Sequence, residues 1–169
     1  MNASTQPSNG KQGMSSSTAA PLHAFLAGTG RDDRGRLAAE VLDFSDERLE
    51  QVHDYIQWLF PLPTRSGAQP GAPVLTQAEI AAIRADGHAQ DTLKRASERM
   101  LSFYRGTRWW LATFDHNHLR ITRIIHSLRL LVGPGEAQKF HSAILEINAA
   151  SGSPVNTRSL AYWSEAAGS

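Results

Sequence analysis

The chain has 169 residues, 41% hydrophobic and 20% charged, with a formal net charge of +1; this composition excludes fibrous and wholly disordered classes and fits one globular domain. The absence of cysteine excludes disulfides, thiolate metal sites, iron–sulfur clusters and thiol nucleophiles. No run nears the roughly 18 apolar residues of a membrane span and no secretory leader is evident, so a soluble cytoplasmic protein is expected.

Residues 1–20 are rich in Ser, Thr, Gln, Asn and Gly. They hold too little apolar surface to offset the entropy of ordering and are expected to form a disordered tail, leaving a domain over 21–167. Gly28, Thr29 and Gly30 resemble a phosphate-cradling turn, but no strand precedes them and no Gly-Lys-Ser/Thr ending follows. A weak helical pattern covers 36–42. The clearest helix is expected over 46–60, where Ser45 caps, Asp46 and Glu47 suit the positive end of the helix dipole, and Pro61 stops it. Its apolar arc is Leu49, Val52, Ile56, Leu59 and Phe60, with His53 embedded and Gln57 one turn on. The pair is either a polar recognition element at the floor of a cleft or a core histidine satisfied by its neighbours. Trp58 falls on the other side, covering another element or exposed.

Four Pro and two Gly between 61 and 73 predict an irregular connection. Thr76 and Glu79 have capping-box spacing for a short helix ending near Gly87. A helix over 89–105 aligns Leu93, Ala96, Met100, Phe103 and Tyr104, with Gly106 as its stop. Trp109 and Trp110, beside Arg108, suit either stacking on a ligand or closing the core. Asn117 is expected to cap a helix over 118–132, whose main arc is Ile121, Ile124, Ile125, Leu128, Leu131 and Val132. A second stripe, Leu119 and Leu130, flanks Arg123 and His126, which predicts a central helix or a partner groove. Helices are also expected over 135–149 and 157–166. Period-two alternation is missing, so no sheet is expected.

Charge is unevenly placed: residues 32–54 hold eight acids and three bases, residues 94–129 eight bases and two acids. Either the basic half faces an anionic partner or the two halves neutralise each other. His116 and His118, beside Asp115 and with His126 or His141, have weak metal-site spacing that the helix cap also explains. Asp32, Asp33, Asp43 and Asp54 are the candidate acid–base carboxylates.

The run HDYIQWLFP at 53–61, with LRITRI at 119–124 and MLSFY at 100–104, resembles the conserved region of the opioid growth factor receptor family, over about residues 22–163. The resemblance implies a helical domain and, in animal members, association with the opioid pentapeptide methionine enkephalin in growth regulation at nuclear or perinuclear membranes. It also implies a microbial single-domain member, because the repeat-bearing extension of animal members is not seen. Leu26 departs from the family, which has an aromatic there.

The expectation is an all-α irregular bundle of six to eight helices, acting as a non-enzymatic domain that binds a peptide or protein through His53, Gln57, Trp58, Trp110, Arg120 and Arg123. No catalytic residue, metal or cofactor is assigned. Alternatives are a nucleic-acid-binding face built from Arg95, Arg99, Arg105, Arg108, Arg120 and Arg123 with the Trp pair, or an uncharacterised enzyme. Methionine enkephalin is expected to bind weakly or not at all, since the matched motifs read largely as helix packing.

Overall fold

A computed structural model describes residues 20–169, which form nine helices and no strand. They are α1 (Pro21–Leu26), α2 (Ala38–Leu42), α3 (Asp46–Gln51), α4 (Ile56–Leu59), α5 (Gln77–Ala85), α6 (Gly87–Gly106), α7 (Asn117–Leu131), α8 (Pro134–Ala150) and α9 (Thr157–Ala167). The all-α expectation holds, with two helical pieces more than its clearest patterns suggested: α1 was unforeseen, and the expected helix over 46–60 is broken in two. The expected tail lies outside the described residues except for Ala20.

Local chemistry explains most boundaries. Proline occupies the first position of α1 and of α8, where no backbone donor is lost. The Thr76–Glu79 box forms, and its buried carboxylate serves two helices: Glu79 Oε2 accepts from Thr76 N at 3.1 Å, and Oε1 accepts from Leu22 N at 3.1 Å. Asp86 starts α6 earlier than expected by accepting from His88 N and Ala89 N, and it also pairs with His23 at 2.8 Å. Asn156 caps α9 through Ser159 N at 2.8 Å.

The Gly28–Gly30 turn closes α1. Gly28 takes φ +79, and the amides of Thr29 and Gly30 both donate to Ala24 O at 2.9 Å. A Cβ on Gly30 would stand 2.8 Å from the Ala24 Cβ, so the glycine permits close chain approach. With two of its amides spent on the helix end, the turn is not a phosphate cradle.

Helix α7 lies at the centre, against α5, α6, α8 and α9; α1 packs on α4, α5 and α6, and α2 and α3 pack on α6. The core is strongly aromatic: Trp110, Trp163, Tyr55, Tyr104, Phe25, Phe60, Phe103 and Phe140 are fully buried. Trp58 is also buried, edge-on to Phe25 with ring centroids 5.4 Å apart. Among the described residues no helix is long and apolar enough to cross a membrane.

Candidate functional site

The break between α3 and α4 shapes the site. Val52 leaves the helical region, with φ −88 and ψ 128, so the last carbonyls of α3 need donors other than the chain itself. Arg120, buried on α7, supplies them: Nη1 donates to Leu49 O at 2.8 Å and Nη2 to Val52 O at 2.9 Å. Tyr55 Oη adds a second bond to Leu49 O at 2.7 Å. A cation at the negative end of a helix is electrostatically favoured as well as hydrogen-bonded. Arg120 Nη2 also lies 3.1 Å from His53 Nδ1; a guanidinium only donates, so that nitrogen accepts. Partial desolvation, then the charges of Arg120 and His116, hold the His53 imidazole below its ordinary pKa although the ring reaches solvent.

Because the helix breaks there, His53 is exposed rather than embedded in an apolar arc, while Gln57 is buried. Both nevertheless face one cleft of about 480 Å³, bounded on one side by α4 and the following connection and on the other by the start of α7. Its wall includes His53, Ile56, Gln57, Arg65, Ser66, His116, Leu119, Arg120 and Arg123. Four of the six residues singled out in the sequence therefore meet there. Trp58 and Trp110 do not: both are packed in the core, and the Trp110 indole donates to Tyr104 O at 2.9 Å.

One buried polar atom of the cleft wall, on Gln57, is unsatisfied. Gln57 Oε1 is buried without a hydrogen-bond partner, while Nε2 makes a long contact of 3.4 Å to Ser66 Oγ. Arg123 donates from Nε to Phe60 O at 2.9 Å. Burial alone lowers its pKa to about 10, with no carboxylate offsetting the loss of hydration. The cleft wall contains no Asp or Glu.

Arg65, Ser66 and His116 are less legible as wall residues, because the connection and the α7 start come together only in the fold. Leu119 was visible as part of a second apolar stripe and is 71% exposed. With His116 it forms a ridge shared with a second hollow of about 490 Å³ that also contains Phe114 and Tyr162. Phe114 is 80% exposed.

Other candidates resolve differently. Asn117 does not cap α7 with its own side chain; Asp115 Oδ1 accepts from Asn117 N at 2.8 Å, while Asn117 Nδ2 reaches Glu50 Oε2 at 2.9 Å. Asp115 and His116 gather with Glu50, their ligand-type atoms within 4.8 Å of one another. His118 is excluded from that group, since it is buried with Nε2 2.8 Å from Trp110 O. His141 is buried with neither ring nitrogen partnered. Asp32 and Asp54 are bound to Arg36 at 2.7 and 2.9 Å, a structural arrangement that pins the loop before α2.

The Arg/Trp face does not assemble. Arg95, Arg105 and Arg108 are exposed, but Arg99 is paired with Asp46 at 2.9 Å and donates to Phe44 O, Arg120 is buried, and only Trp109 of the pair reaches solvent. The acidic and basic stretches meet through the Arg99–Asp46 ion pair between α6 and α3.

Residues 40–110 match the family described as opioid growth factor receptor (OGFr) conserved region. The chain is 41% identical over 98 residues to the opioid growth factor receptor of Rattus norvegicus, an alignment covering 47% of this chain and 17% of that protein. It is 40% identical over 98 residues to the receptor of Homo sapiens, covering 47% and 14%. To the opioid growth factor receptor-like protein 1 of Rattus norvegicus it is 36% identical over 99 residues, covering 48% and 21%. This chain therefore spans only 14–21% of these relatives' lengths, and no solved structure matches it. The family match ends before α7, so it is shorter than the resemblance over residues 22–163 and leaves LRITRI outside. Over residues 40–110 this chain is thus similar to the conserved region of the opioid growth factor receptor family.

Proposed function

We propose that this chain is a non-enzymatic binding domain whose ligand is a short peptide lying in the two connected hollows on either side of the His116–Leu119 ridge. The observation that carries this is the combination, on one surface, of the unsatisfied Gln57 oxygen beside the Arg123 guanidinium in the first hollow and exposed Phe114, Leu119 and Tyr162 around the second. Concave sites that bind ligands pair apolar area with a few convergent polar groups. The relatives' names, which are those of receptors, support a ligand-binding role over an enzymatic one. Residues 21–167 are taken as the binding domain.

Methionine enkephalin itself is expected to bind more weakly than about 1 μM, equivalent to roughly −8 kcal/mol. The α7 side of the cleft, with Leu119, Arg120 and Arg123, lies beyond the residues matched to the family. A ligand of a relative need not transfer with the shared core. The peptide role is tested by selecting from a displayed random peptide library with the full chain, then measuring the selected peptides against Leu119→Asp. Enriched sequences whose affinity falls at least about tenfold in that variant support the role. Failure to enrich, or binding indifferent to Leu119→Asp, contradicts it.

A further inference from the structure

We infer that the peptide is taken by its free carboxyl terminus, with Arg123 holding the terminal carboxylate and the Gln57 side-chain amide holding the last peptide group. This rests on the peptide reading above and names which part of the peptide the first hollow receives.

Arg123 is fixed but unpaired. Its Nε is committed to Phe60 O at 2.9 Å, which sets the guanidinium plane and leaves the Nη edge without a protein acceptor among the described residues. A desolvated cation is unfavourable unless an anion or several hydrogen bonds compensate it. Nothing acidic lines the cleft. The neighbouring Arg120 is different, because its Nη atoms are spent on Leu49 O and Val52 O. With Arg65 exposed at the rim, the free edge of Arg123 is the partly buried group in this wall with the capacity for bidentate carboxylate binding.

Gln57 narrows the ligand further. Its buried Oε1 has no partner, and an unsatisfied buried acceptor calls for a donor. A peptide carboxyl terminus carries a carboxylate and, on the same α-carbon, an amide N–H. A phosphate offers acceptors without that N–H. Were the amide turned the other way, Nε2 would meet the second carboxylate oxygen, so a carboxyl terminus satisfies the site in either orientation. The exposed Arg65, which donates to Pro70 O at 3.1 Å, adds positive charge at the rim. From this anchor the chain of the peptide passes over Leu119 toward Phe114 and Tyr162.

The test uses N-acetylated tetrapeptide pools randomised at every position, made once as free acids and once as C-terminal amides, with inorganic phosphate as a third probe. Half-saturation is read from side-chain and backbone amide shifts of the isotope-labelled full chain. The free-acid pool is expected to half-saturate at a concentration about tenfold lower than the amide pool, an advantage lost in Arg123→Gln. Should Arg123→Gln melt early, Gln57→Leu, which removes only a 3.4 Å contact, must still weaken the acid pool. Equal binding of acid and amide pools would overturn capture of the carboxyl terminus while leaving peptide binding intact. Phosphate that competes at the acid pool's own concentration would reassign the hollow to anions in general. Binding of neither pool would overturn this proposal and the peptide role together.

Discussion

At the residue scale, burial separates side chains that hold the fold from those free to meet a ligand. Ile56 is 3% exposed and floors the cleft; Ile56→Ala is expected to cost roughly 2–5 kcal/mol by chemical unfolding. A change within about 0.5 kcal/mol would place it outside the core. His141 is the opposite case, a buried imidazole with both nitrogens unpartnered, so His141→Leu is expected to stabilise the chain by about 1 kcal/mol. Burial lowers the His141 pKa in the folded state. The unfolded chain therefore binds the proton first, and the contribution of the neutral ring is complete above about pH 6.5 and lost as pH falls below it. Unfolding midpoints should drop between pH 7.5 and 5.5 for the native sequence and drop less for His141→Leu. A larger drop in the variant would contradict this assignment.

At the element scale, the break between α3 and α4 depends on a residue more than sixty positions away. Arg120→Met removes the donors to Leu49 O and Val52 O and is expected to destabilise the chain by roughly 3 kcal/mol. Hydrogen exchange should quicken in residues 46–60 before it does in α8. Unchanged protection there would show that the chain bends at Val52 without the strap. The same element marks the limit of what the sequence tells. Helices with a side-chain cap or an N-terminal proline and a regular apolar period, α5, α6, α8 and α9, are legible to within one or two residues because their determinants are local. Residues 46–60 carry the same local signals yet break, since tertiary donors compensate carbonyls that a continuous helix would have satisfied internally. Asn117 misled for a related reason: its amide is recruited by Glu50 from a distant helix. Gln57 and Arg123 are legible as polar residues beside apolar stripes, whereas the roles of Arg120, Trp58 and Trp110 depend on which neighbours the fold brings to them.

At the scale of the whole molecule, α7 organises the chain. It completes an aromatic core with α5, α6, α8 and α9, and its N-terminal half faces the cleft. The family match reaches the core and the α4 wall but not α7, so similarity to the family does not by itself carry a ligand to this cleft. The most direct measurement maps where a peptide lands. Isotope-labelled full chain, titrated with the free-acid tetrapeptide pool, is expected to show its largest shifts at the Gln57 side-chain amide, the Arg123 Nε–H and the Leu119 backbone amide. Shifts confined to the exposed Trp109 region or to the exposed arginines of α6, or none at all at millimolar pool concentrations, would contradict the assignment of the cleft as the ligand site.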